Sequence, residues 1–216
     1  MNILVTAGPT REFLDPVRYL SNRSTGKMGY AVARQAVRRG HSTRMVSGPV
    51  ALAAPEGVEV VQAVSAADML AAVRSHVEWC RALIMVAAVA DWRPAACSLH
   101  KLKKDCMSSC LTLERTPDIL SALSPLKGDR CFVGFAAETE NLESSAKAKL
   151  SAKKLDMIVA NDVGRTDSGF ETDVNQVQWW TADGGTEALP LLDKDDVAQR
   201  ILNWVETRSI AARRPE

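Results

Sequence analysis

From Arg18 to Gly29 the sequence RYLSNRSTGKMG collects cations at Arg18, Arg23 and Lys27, hydroxyls at Ser21, Ser24 and Thr25, the amide of Asn22, and glycines at 26 and 29. Where such a stretch runs into a helix, the first turn offers unpaired amides and the positive end of the helix dipole to an anion. Glycine lets that anion approach the backbone. The competing reading is a polar helix cap with no ligand. Neither familiar nucleotide loop fits. Thr6 to Pro9 lacks the three spaced glycines of a dinucleotide fingerprint, and SNRSTGKMG lacks the earlier glycine and trailing Ser/Thr of a Walker loop.

Other groups capable of chemistry follow downstream. Ala87 to Arg93 (AAVADWR) ends an apolar run in small residues, which would admit a flat base or sugar, and then presents Asp91. That carboxylate can accept ribose hydroxyls, hold a metal, or simply close an Asx turn. Lys101, Lys103 and Lys104 are either a solvated loop face or a lid whose lysine neutralises a triphosphate. Lys149 and Lys153, four residues apart, share a helix face beside Ala146 and Leu150 and could reach a polyphosphate or base, although they lie two to three turns into the helix. Cys97, His100, Cys106 and Cys110 cluster, but their spacings match no common zinc-knuckle pattern. His41, His76 and His100 are scattered and form no Ser/His/Asp grouping.

The elements that must position these groups alternate as βαβ. Asn2 to Thr6 is a buried first strand stopped by Gly8-Pro9, and a polar loop follows. A helix runs from about Thr25 to Gly40, then come strands at Thr43–Ser47 and Val58–Val61. Ser65 with Asp68 opens a helix as a capping box, and Ala82 to Ala90 is the longest buried run. Trp92 to Cys110 has no regular period and reads as a mobile lid, residues 92–110. Pro117 sits in the first turn of a short helix through Leu123. Phe132–Ala136 and Met157–Ala160 are strands flanking a helix from Asn141 to Lys154. A late strand pair, Gln176–Thr181 and Ala188–Leu192, surrounds Asp183-Gly184-Gly185, and Asp195 to Thr207 closes the chain as a helix. The expected fold is α/β, a three-layer α/β/α Rossmann-like domain over residues 1–216 with a mostly parallel sheet, a flexible lid and a late antiparallel pair. In such a sheet ligands collect beyond the strand carboxyl ends. That nominates Gly8–Lys27, Ala87–Lys104, Thr116–Asp118, Phe135–Thr139 and Asn161–Phe170.

Composition bounds the partners. With 27 basic and 26 acidic side chains the formal charge is +1, so no global field draws the chain to nucleic acid or to an anionic membrane. The start MNILVTAGPTRE has no signal-peptide pattern and no apolar run is long enough to span a bilayer, which implies a cytoplasmic protein. Five cysteines, an odd number, argue for reduced thiols.

Taken in order, AGPTREFLDPVRYLSNRSTGKMG, AAVADWRP, HKLKK, TPDIL, VGFAAETE, AKAKLSAKKLDMIVAND and GFETDVNQV resemble phosphopantothenate-cysteine ligase along nearly the whole chain. The resemblance implies a ligase of coenzyme A synthesis in a stand-alone form, without the decarboxylase domain to which bacterial members are often fused; a separate decarboxylase would act on the product. Phosphopantothenate is activated by a nucleoside triphosphate, usually CTP, with Mg2+, to an acyl-nucleotide and pyrophosphate; L-cysteine then displaces the nucleotide. By position, Asn22 corresponds to the residue that contacts the acyl-nucleotide, Lys101 to the first lysine of the lid, and Arg18 to a further catalytic candidate in the substrate loop. The CTP positions are Ala87, Asp91, Lys101, Pro117, Asp118, Ile119, Leu120, Phe135, Lys149 and Lys153. The metal ligands stay unknown. The resemblance also implies a homodimer.

Departures from the family pattern lie in CSLHKLKK, in TPDIL and in FLDP, and they leave ATP as an alternative to CTP. A nicotinamide-dependent reductase of similar fold is the rival enzyme. Against it stand the missing glycine fingerprint and the lack of a Tyr-x-x-x-Lys pair, since the tyrosines are Tyr19 and Tyr30. A nucleotide-sensing module without turnover is the non-enzymatic rival.

Overall fold

The computed structural model describes residues 1–104, 109–138, 141–162 and 171–211. The first strand β1 (Asn2–Ala7) sends Ile3, Val5 and Ala7 to one face of the sheet and Leu4 to the other, as the two-residue period of a strand requires. A small antiparallel ribbon, β2 (Arg11–Phe13) with β3 (Tyr19–Ser21), occupies what the sequence presents as a polar loop. Helix α1 (Lys27–Arg38) ends at Gly40, whose φ of 77° is the left-handed conformation glycine accepts most readily. Then come β4 (Ser42–Ser47), β5 (Glu59–Gln62) and α2 (Ala66–His76), which opens on the expected Ser65–Asp68 capping box.

Strand β6 (Ala82–Met85) is shorter than the apolar run that contains it. The segment read as aperiodic begins instead in an antiparallel ribbon, β7 (Trp92–Pro94) with β8 (Leu113–Arg115). Its two strands lie about twenty residues apart, so local periodicity carries no trace of the pairing. Helix α3 (Ile119–Leu123) is capped by Asp118, which leaves Pro117 outside the first turn. After a 3-10 turn at Ser124–Leu126 come β9 (Cys131–Glu138), α4 (Leu142–Ala152) and β10 (Met157–Asp162).

The late region divides further than its sequence suggests. Strands β11 (Val174–Asn175) and β14 (Leu192–Asp193) pair with each other, while β12 (Val177–Thr181) pairs with β13 (Thr186–Ala188) around the Asp183 turn. Helix α5 (Lys194–Ala211) closes the described chain.

The main sheet has eight strands in the order β13-β12-β10-β9-β6-β1-β4-β5, all running in one direction except β12, which is antiparallel to both of its neighbours. Helices α1 and α5 cover one face, and α2, α3 and α4 the other. The α1 helix lies so close to β1 that a Cβ on Gly29 would stand 2.6 Å from the Ala7 Cβ. Among the described residues, no helix is long and apolar enough to cross a membrane.

Candidate active site at the sheet switch point

The order of the sheet reverses between β1 and β6: the chain leaves β1 toward β4 and later returns on the other side. The loops that leave these two strands diverge and open a crevice. They are sewn together by buried polar contacts. The Ala87 amide donates to Thr6 Oγ1 (3.1 Å), the Ala90 amide to Thr10 Oγ1 (2.9 Å) and the Ala88 amide to the Gly8 carbonyl (2.9 Å). Small residues at 87, 88 and 90 let this backbone run close to β1. Above it lies a cleft of about 440 Å³.

Ten of the twelve residues singled out in the sequence line that cleft: Asn22, Ala87, Asp91, Pro117, Asp118, Ile119, Leu120, Phe135, Lys149 and Lys153. They arrive from five separate stretches of chain. The Asn22 amide donates to the Ala88 carbonyl at 2.9 Å and so spans from the opening loop to the β6 loop. The side chain of Asp91 is exposed and forms no hydrogen bond or ion pair among the described residues, while its carbonyl accepts from the Thr116 amide (3.0 Å).

Lys149 of α4 and Lys153 at its C-cap are already paired. Lys149 Nζ lies 2.5 Å from Glu138 Oε1, and Lys153 Nζ lies 3.1 Å from Asp118 Oδ2. Asp118 also caps α3 by accepting from the Ser121 amide at 3.0 Å. Burial alone would raise the Asp118 carboxyl, but the Ser121 amide and the Lys153 ammonium outweigh it and hold it below the usual carboxylate range. Position deep in α4 therefore does not keep these lysines from the cleft, because α4 runs beside β9 and β10 and its inner face reaches the strand ends.

The start of α1 decides between a cap and an anion cradle in geometric terms. Gly26, at φ 81°, occupies the cap position with no side-chain cap hydrogen bond, and Ser24 Oγ instead accepts from the Gly26 amide at 3.3 Å. Gly26 to Gly29, at the start of α1, line the cleft, and their cap residue supplies no side-chain hydrogen bond. The loop is braced from outside: Arg23 pairs with Glu171 (2.9 Å) and Lys27 with Asp173 (2.7 Å).

Arg18 and Lys101 do not line the cleft. Arg18 turns to the buried Asp15 and donates from Nη2 to the Leu102 carbonyl at 2.9 Å. Lys101 is exposed beside it. Cys106, in the same segment, is outside the described residues, as are Thr139 and the stretch 163–170. Among the described residues no group of three His, Cys, Asp or Glu could hold a metal. Cys80 and Cys131 are buried, and burial pushes both thiols up to about 12, too high for a thiolate nucleophile.

Asn161, Asn175 and Lys194 are among the lining residues outside that set of twelve. Asn161 is the penultimate residue of β10, at a strand end the switch-point rule nominates. Asn161 Oδ1 and Asn175 Oδ1 are buried with no hydrogen-bond partner among the described residues. Lys194, buried at the start of α5, donates to the Thr172 carbonyl and, at 3.4 Å, to the Val174 carbonyl. Burial, helped by Lys27 and opposed by Asp173, pulls its ammonium down to about 8. The available signal was a lysine in the first turn of a helix, where the dipole disfavours a cation.

Residues 1–208 match the family model of the DNA/pantothenate metabolism flavoprotein C-terminal domain. The chain belongs to this family. It is 46% identical over 209 residues to the coenzyme A biosynthesis bifunctional protein CoaBC of Bacillus subtilis (strain 168), covering 96% of this chain and 52% of that protein. The chain therefore spans about half the length of the curated relatives it matches. A crystal structure of the C-terminal domain of CoaBC superposes with a TM-score of 0.81 at 45% identity, over 95% of this chain and 94% of that one. A Cab2 mutant in complex with phosphopantothenate-cysteine superposes with a TM-score of 0.79 at 14% identity, over 99% of this chain and 89% of that one, which shows a shared fold. The fold is thus that of the CoaBC C-terminal domain.

Proposed function

We propose that the chain joins phosphopantothenate to L-cysteine at the expense of CTP. In the first step a carboxylate oxygen of phosphopantothenate attacks the α-phosphorus of CTP, and pyrophosphate leaves. In the second the cysteine amine attacks the acyl carbon; the C–O bond to the nucleotide breaks, CMP departs and the nitrogen loses a proton. Activation is needed because a free carboxylate is a poor acyl donor.

The observation that carries this reading is the convergence on one cleft of Asn22, Asp91, Pro117 to Leu120, Phe135, Lys149 and Lys153 from separate parts of the chain. Asn22 binds the acyl-nucleotide: one amide hydrogen is committed to Ala88, and the other is available to oxygen charge that develops during acyl transfer. Lys149 and Lys153 exchange their carboxylate partners for the anionic nucleotide. Mg2+ suits a lone exposed carboxylate, because it commonly binds through one or two carboxylates together with substrate phosphates, and Asp91 is that carboxylate here. When bound it would neutralise phosphate charge. In the lid expected at residues 92–110, of which 105–108 lie outside the described residues, the exposed Lys101 side chain swings to the triphosphate.

The protein acts as a homodimer. Phe13, Val17 and Tyr19 on the β2–β3 hairpin and Trp92 and Leu113 on the β7–β8 ribbon remain exposed, an apolar surface suited to a second copy. A decarboxylase consumes the product.

Pyrophosphate release measured with each of the four triphosphates, phosphopantothenate, Mg2+ and labelled cysteine tests the reading. CTP should support turnover, and omission of cysteine should accumulate the acyl-nucleotide. ATP in its place would correct the base choice, and no turnover with any triphosphate would remove the ligase.

A further inference from the structure

Among the described residues, the only charged side chain at 0% exposure is the carboxylate of Asp15, between β2 and β3. It takes five donors. Oδ1 accepts from the Val17 and Arg18 amides, both at 2.9 Å, and Oδ2 accepts from Arg18 Nε (3.0 Å), Arg18 Nη2 (2.5 Å) and the Leu102 amide (3.1 Å). The same Arg18 Nη2 donates to the Leu102 carbonyl at 2.9 Å. Both backbone groups of Leu102 are therefore held by one half-buried ion pair more than eighty residues away in sequence. A second tie, from the Ser98 amide to the Leu14 carbonyl at 3.0 Å, fixes the other side of the His100–Lys101 turn.

We infer that Asp15 and Arg18 are positioning residues for Lys101, forming a latch that makes Leu102 the fixed point from which Lys101 reaches its anion. This rests on the ligase reading for the identity of that anion, a nucleoside triphosphate. Engaging the Leu102 amide and carbonyl together holds the peptide plane that carries the Lys101 Cα, and the Ser98 tie limits the backbone on its other side. Lys101 itself is exposed and has no hydrogen bond or ion pair among the described residues. Its side chain moves while its base does not. Ordering four flexible carbons and a mobile backbone costs more than ordering the carbons alone, and the latch removes the second cost. The Arg18 guanidinium suits the task because its planar fork meets a carboxylate and a carbonyl at once, which an ammonium cannot reproduce.

The test is a double-mutant cycle of Asp15→Asn with Lys101→Gln in the full chain, with hydrogen exchange at Leu102 measured alongside. Asp15→Asn should speed exchange at Leu102 and lower kcat/KM for CTP by up to roughly 100-fold, the loss that a misplacement of about 1 Å can cause. In the Lys101→Gln background it should change kcat/KM by less than about twofold, because the residue it positions is gone. Equal losses in both backgrounds would overturn the proposal and make Asp15 merely structural. Unchanged exchange at Leu102 would overturn it as well. If Asp15→Asn does not fold, Arg18→Lys serves in the same cycle, since it withdraws the contact to the Leu102 carbonyl and keeps the charge. A wild type without turnover would fail the ligase reading instead. The cycle is then read on CTP binding by calorimetry, where additive losses overturn the latch.

Discussion

Asn22 Nδ2 and the Thr10 amide donate to one oxygen, the Ala88 carbonyl, at 2.9 and 3.3 Å. This shared acceptor ties the loop after β1, the hairpin and the loop after β6 into one wall of the cleft. It also fixes which edge of the Asn22 amide is turned to the protein.

Asn22→Asp replaces that donor with a carboxylate facing a carbonyl, so the side chain must turn away from Ala88 and no donor remains for the acyl oxygen. Product formation should fall by roughly 100- to 1000-fold, the usual loss on removing one such donor. Thermal unfolding should stay near wild type, because Asn22 is exposed. Wild-type rates in this variant would contradict the assignment.

Gly29 permits the close approach of α1 to β1. A methyl there would meet the Ala7 Cβ at 2.6 Å and the Thr6 carbonyl oxygen at 2.9 Å. Gly29→Ala should cost about 1–3 kcal/mol by overpacking, despite alanine's better helix propensity. Urea denaturation measures it, and a stabilised variant would show that α1 can shift freely.

Asp118 serves α3 and Lys153 at once. Asp118→Ala should lose about 1 kcal/mol of cap energy, whereas Asp118→Asn keeps an acceptor for Ser121 and should lose less. Equal losses in the two variants, read from unfolding curves, would place the stabilisation in the Lys153 pair rather than in the cap.

Lys194 gives stability a pH dependence of definite sign. Its folded value of about 8 lies below the ordinary lysine value near 10.4 of an unfolded chain. Between these values the unfolded chain binds a proton that the folded chain does not, so the contribution of Lys194 to stability rises with pH. Below about 8 both states are charged and the cost of burying the ammonium is fully present. Denaturation of the wild type and of Lys194→Met across this window should show the wild type gaining relative to the variant as pH rises. A constant difference would mean the ammonium is not desolvated.

The sequence by itself determined the βαβ order, the Gly40 stop, the Ser65–Asp68 box and most of the residues that meet at the cleft. Each of these is written in local periodicity, in capping chemistry or in ordered motif blocks, and needs no distant partner. Tertiary structure decided what depends on pairing across the chain. It paired β7 with β8, split the late strands between two sheets, and brought Asn175, inside the last motif, and Lys194, beyond it, to the cleft. It also turned Arg18 from the cleft toward Asp15 and Leu102. A guanidinium in a polar loop looks the same in sequence whether it faces a substrate or a buried carboxylate. Only the packing that buries Asp15 and brings Leu102 beside it fixes that choice, because an unpaired buried charge is too costly to leave alone.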